Sequence, residues 1–320
     1  MNPAPQVGSG RVRWFALVTL LLLAATMAEF LTGSTLIQTA VSFPPGFAIL
    51  VGMYGGGALL IREVALRWGK RWGAVLLLGG AYAVGEEGFG AKTLVDPIGS
   101  NIGNQLYTHF AGVNWIPLAA LTVFHAAFSI AVPLVLVELV FPESKGRALL
   151  GRKGMVVTAL VYVLAVFLVS FGDHYVIPPL SDAFLAVYAS AFVMAAYLVP
   201  RGFFTAKREG PDRSERRFVL LGVGFMGCFF LVDVLGSHFL PWPVAAALFV
   251  PLVVLTARYL VRHAGRVGNE IVKVDFVLGM VLVFVPIDVI QEVKGDMGVL
   301  VYTGFILILV VWVRRRIARG

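Results

Sequence analysis

The stretch PESKGRALLGRKG (142–154) runs straight into MVVTALVYVLAVFLVSFGDHY (155–175). Lys145, Arg147, Arg152 and Lys153 stand before an apolar run that meets no charge until Asp173. At 1.5 Å per residue, about 20 apolar residues cover the hydrocarbon thickness of a bilayer. A helix on the surface of a soluble core needs a polar face, and this run has none. Read outward in both directions, the same alternation of basic cluster and apolar run continues. It predicts spans near 14–32, 46–67, 73–93, 115–141, 155–175, 183–200, 218–237, 242–262, 274–293 and 297–313. The expected fold is an all-α polytopic transmembrane bundle of about ten spans, one integral membrane domain over 1–320 with no soluble domain.

Composition agrees. The chain is 59% hydrophobic and 14% charged, against about a quarter charged in soluble proteins, and one water-exposed domain could not hide so much apolar surface. Lipid is the partner that accepts it. The net charge of +8 does not point to nucleic acid, because the cations sit in short clusters between apolar runs and form no basic face. Cys228 is the single cysteine and lies within an apolar run, so there is no disulfide framework. Arg11 and Arg13 before the first run give it a slight look of a secretory leader. No small-x-small cleavage site follows cleanly, so it reads as the first span.

Charge then orients the bundle independently of hydropathy. With a cytoplasmic N-terminus and alternating sides, 23 of the 26 Lys and Arg fall on cytoplasmic segments, from Arg11 to the Arg314, Arg315, Arg316 and Arg319 end. Lys92 and Lys294 fall outside, and Arg62 lies within the second span. A skew of this size fixes topology in membrane proteins, and puts both termini on the cytoplasmic side of the cell membrane. A parallel repeat is also suggested. Ala28-Glu29-Phe30-Leu31-Thr32-Gly33-Ser34 parallels Val232-Asp233-Val234-Leu235-Gly236-Ser237. A proline turn follows each, and Arg62 and Arg258 come 17 residues after Pro45 and Pro241. Segments 14–141 and 218–313 would then be related units, as in some transporters; chance likeness between apolar helices is the alternative.

Ionisable residues within a span are costly and point to function. Glu29, Glu86, Asp233 and Asp288 each lie 13 to 15 residues from the cytoplasmic start of their spans, which places all four about 20 Å from the inner face. Glu87 is adjacent, Asp173, His174, His238 and Glu292 lie just above, and His125 lies deeper on the fourth span. The layer has almost no cationic company. Carboxylates gathered without basic residues must take up protons or share a metal ion or other cation. Glu29, Glu86, Glu87, Asp233 and Asp288 are therefore the candidate proton- or cation-binding residues. The alternative is that the helices do not converge and each acid reaches the outer interface alone. Arg62-Glu63 snorkels or pairs internally, Gly55-Gly56-Gly57 allows close helix packing, and Pro133 and Pro286 are candidate hinges.

Two stretches, YGGGALLIRE (54–63) and GGAYAVGEEGFG (79–90), are preceded by AEFLTGST around Glu29 and followed by PESKGRALLGRKG. Together they resemble a family of uncharacterised prokaryotic multi-pass membrane proteins over roughly the first 155 residues, a resemblance that implies no activity. Adjacent glutamates with a histidine on the next span are also similar to part of the pattern of CAAX-protease-like (CPBP) intramembrane metalloproteases. That likeness implies catalytic roles for Glu86, Glu87 and His125. It is incomplete: Lys92 stands at the wrong spacing for that family's arginine, Leu121 replaces its phenylalanine, and no His-x-x-x-Asn follows.

Three functions follow. A proton- or cation-linked transporter would use the carboxylate layer, Asp288 included. An intramembrane metal-dependent hydrolase would use Glu86, Glu87 and His125. In a membrane scaffold the acids would only pair helices. Neither substrate, cofactor nor oligomeric state follows from the sequence.

Overall fold

Each apolar run becomes a helix in the computed structural model, which describes residues 10–98, 105–172, 174–201, 216–267 and 269–319. In chain order they are α1 (Gly10–Glu29), α2 (Pro44–Arg67), α3 (72–90), α4 (Trp115–Val140) and α5 (Arg152–Gly172). They continue with α6 (Pro179–Leu198), α7 (Arg216–His238), α8 (Trp242–Val267), α9 (Glu270–Val293) and α10 (Val299–Arg319). Eight of these, all but α3 and α10, are long and apolar enough to cross a membrane. Helices α3 and α10 fall on the third and tenth expected spans, but α3 carries Glu86-Glu87 and α10 an arginine-rich end, so composition does not mark them equally. The described strand content is one antiparallel pair, His109–Phe110 with Val113–Asn114.

Local sequence sets the boundaries. Pro44 and Pro179 open α2 and α6, where the missing N–H costs nothing. Gly69 (φ 63°) turns the chain after α2 through the left-handed region that favours glycine. Pro286 leaves the carbonyl of Leu282 without its helical donor, and α9 is interrupted at Val283 accordingly.

Burial shows which helices are central. The most apolar stretch of α4 is 83% buried, against 6% for α5 and 11% for α8. Helix α4 packs against α1, α3, α8 and α9, while α5 lies along α2. The outward face of α5 shows Val156, Leu160, Leu164, Phe167 and Phe171, a surface that suits hydrocarbon and would aggregate in water. Helices α7 and α9 cross at Gly222 and Gly279, where an added Cβ would come within 2.2 Å of Phe276 O and 2.0 Å of Val219 O. Without a hydrophobic force between helices in lipid, such small-residue crossings supply close van der Waals contact.

Ion pairs fasten the end of the bundle that carries most of the cations. Arg62 pairs with Glu63 at 2.9 Å and donates to Ser144 O and Arg147 O. Arg67 donates to the other Glu63 oxygen at 2.6 Å and to Leu150 O, and Leu149 N–H donates to Glu63. Of the two alternatives for Arg62-Glu63, the structure has the internal pair, and both side chains are buried. The motif LLIRE thus holds the loop GRALLG against α2. Arg314 and Asp275 join α10 to α9 at 2.5 Å. At the opposite end, Lys92 Nζ donates to Tyr175 O. Asn114 donates to Thr93 O and Asp96 O and pairs with His109.

Candidate functional site

Helices α2, α3 and α4 each contain one π-helical segment: Val51–Gly55, Val84–Gly90 and His125–Ala131. Such segments insert a residue into the helical ladder, turn the side chains after it, and recur at functional sites. Here they carry Tyr54, the Glu86-Glu87 pair and His125. Pro133 sits just beyond the third and leaves the carbonyl of Ser129 without its usual donor, so the proline and the widened turn belong together.

The three segments aim their residues at one point. His125 Nε2 is 3.0 Å from Glu87 Oε1 in a hydrogen bond. His125 Nδ1 is 3.2 Å from Glu86 Oε2, yet among the described residues neither atom has a hydrogen-bond partner, and both are buried. Glu86, Glu87 and His125 are 2%, 8% and 3% exposed, and one donor atom from each lies within 4.8 Å of the others. Glu29 comes from the end of α1, where Thr35 donates to its Oε2 at 2.5 Å. The Tyr54 hydroxyl faces both Glu29 and Glu86. Besides its burial, Glu86 feels chiefly His125, Glu87, Tyr54 and Glu29, none of them a lysine or arginine.

Aromatic rings wall the cluster. The His125 ring lies 6.2 Å from Tyr54 and 5.9 Å from Tyr82, and Tyr162 follows 5.9 Å beyond Tyr82. Glycine makes this possible. A Cβ on Gly57 would meet the Tyr82 ring at 2.3 Å, and one on Gly85 the Tyr162 hydroxyl at 2.3 Å. The glycines of the YGGG and GEEG motifs therefore admit tyrosines that line the site. Tyr82 is one helical turn before Glu86, which puts both on one face.

The sequence layer divides. Glu29, Glu86 and Glu87 are brought together with His125. Asp288 is fully buried elsewhere, accepting from Thr303 of α10 with its second oxygen unpartnered. Asp233 interacts with His238, and its Oδ1 also has no partner among the described residues. Glu292 accepts the N–H groups of Gly298 and Leu300 at the start of α10. His174 is exposed, and Asp173 lies outside the described residues. Sequence reasoning did not reach Tyr54, Tyr82, Tyr162 or Thr35; all but Tyr162 stood inside quoted stretches, Tyr54 beside the glycine run, Tyr82 four residues before Glu86 and Thr35 at the end of AEFLTGST.

An apolar cavity of about 570 Å³ extends between α3, α4, α6, α8 and α9, lined among others by Gly80, Ala126, Phe192, Phe249 and Met280 and by none of Glu86, Glu87 and His125. Trp72 and Lys273 also line it, the Lys273 ammonium 5.3 Å over the indole.

A family model described as an uncharacterized membrane protein family matches residues 18–318. The chain belongs to that family, as its two glycine-rich motifs suggested. No curated protein and no solved structure matches it.

Proposed function

We propose that this member of an uncharacterised membrane protein family is a cation-linked transporter of the cell membrane. In this reading it has ten spans and both termini in the cytoplasm, and it loads a proton or metal cation at Glu86, Glu87 and His125, with Glu29 beside them. One observation carries the reading. His125 Nδ1 and Glu86 Oε2 face each other at 3.2 Å, buried and without a hydrogen bond. Two electron-rich atoms held in that way repel unless something positive lies between them, and the cost is greatest away from water. Interrupted helices at the site add support, because transporters build cation sites where helices lose their regular bonding. The test is flux in proteoliposomes under an imposed pH or cation gradient. Wild-type protein should dissipate the gradient, and Glu86→Gln should abolish flux at equal reconstitution. Equal flux in the variant sinks the proposal.

One observation favours a second reading, metal-dependent hydrolysis. The apolar cavity beside α3 and α4 has a volume of about 570 Å³, within the usual range for small-molecule sites, and offers a lipid or peptide chain a place; its lining reaches Ala126, the chain neighbour of His125, and not Glu86, Glu87 or His125 themselves. Hydrolysis predicts turnover that stops on chelation. A protein that holds no metal and cleaves nothing excludes it.

A further inference from the structure

The donor atoms of the cluster say which kind of cation it takes. Calcium and magnesium are held by oxygen, whereas imidazole nitrogen suits zinc, copper, iron and nickel. His125 Nε2 and Glu87 Oε1 share a hydrogen bond of 3.0 Å; an ionised carboxylate only accepts, so Nε2 carries the hydrogen and the neutral ring then presents Nδ1 as a bare lone pair. A carboxylate on the far nitrogen is the usual support of a metal-bound histidine, fixing its tautomer and orientation. The bare Nδ1 meets Glu86 Oε2 at 3.2 Å, neither atom has a hydrogen-bond partner, and the two residues are 3% and 2% exposed. Charge agrees as well. A doubly charged ion with two carboxylates and a neutral imidazole sums to zero, the balance that costs least at membrane depth.

We infer that Glu86, Glu87 and His125 bind one divalent transition-metal ion. His125 Nδ1 and Glu86 contact the ion, while Glu87 orients the imidazole and completes the charge balance. The inference rests on the transport reading only in taking the cluster to be a cation site. Tyr54, Tyr82 and the rest of the aromatic wall exclude water, which strengthens each bond to the ion.

The experiment uses the full chain in detergent, stripped by a chelator and titrated with ZnCl2 and CoCl2 against MgCl2 and NaCl. One zinc or cobalt per chain should bind, with magnesium and sodium failing to compete at 100-fold excess. The cobalt spectrum should show a nitrogen ligand. Glu86→Gln and His125→Gln should weaken binding by at least about 100-fold and Glu87→Gln by about 10- to 100-fold, with Asp288→Asn unchanged. Metal-free melting curves confirm that each variant folds. Wild-type protein that takes up neither ion, a cobalt spectrum without nitrogen, or equal affinity in the three variants overturns the inference. Flux separates it from the transport reading. Proton flux in a chain that binds no zinc overturns the metal and leaves the transporter, whereas bound zinc without any flux does the reverse.

Discussion

Glu63 shows what a buried acid does when its partners are cations. Two arginines and a backbone N–H converge on it, and its removal would leave the buried Arg62 without its counter-ion beside the half-buried Arg67. Glu63→Ala should cost about 3–5 kcal/mol, the usual price of stranding a buried charge, read as a lower melting temperature in detergent. Glu86 and Glu87 have no such company, so their neutral isosteres should leave the fold intact. Glu86→Gln should melt at or above the wild-type temperature in the absence of metal, and a large loss of stability would mark the cluster as structural. The residue scale also shows where sequence reading stops. Counting residues along spans placed Glu29, Glu86, Asp233 and Asp288 at one height. It could not say which way each side chain points around its helix, because helices apolar on every side have no polar face to orient them. Asp288 points at Thr303 and Asp233 toward His238, whereas Glu29 and Glu86 share Tyr54.

At the scale of the element, the apolar runs and the proline and glycine boundaries were legible, and the helices formed where they fell. The π-helical segments were not. They arise where a neighbouring helix demands room or a ligand group must turn, and no residue type signals them; only Pro133 and Pro286 hinted at irregular hydrogen bonding. These segments aim the site, which makes a sharp prediction. Deleting Gly85 returns α3 to regular winding and swings Glu86 and Glu87 by about 100° relative to the helix before them. The protein should still fold as a helical membrane protein by circular dichroism, while zinc binding is lost. Retained binding would mean that the widened turn does not position the glutamates. The α7–α9 crossing gives a control away from the site. Gly279→Leu drives a side chain into Val219 O, so it should lower the yield of folded protein through overpacking without a specific effect on metal selectivity in the fraction that folds.

For the whole molecule, the apolar runs carried the all-α bundle, because lipid imposes a helical architecture on any such chain that must satisfy its backbone in hydrocarbon; the orientation read from the positive charges is a prediction. Reporter fusions at the two ends should both be active in the cytoplasm; opposite locations would remove a span from the count. What the charge pattern could not show is which helices become neighbours. The structure sets α4 at the centre, with α1, α2 and α3 supplying the rest of the cluster, and leaves α5 and α8 at the periphery, little buried by other helices. The proposed function turns on one event, a cation occupying the gap between Glu86 and His125. Flux through proteoliposomes compared across wild type, Glu86→Gln, Glu87→Gln and Asp288→Asn tests that event most directly. The account predicts that the two glutamate variants are silent while Asp288→Asn still conducts. Full flux without Glu86 and Glu87, or flux lost only with Asp288, would contradict it.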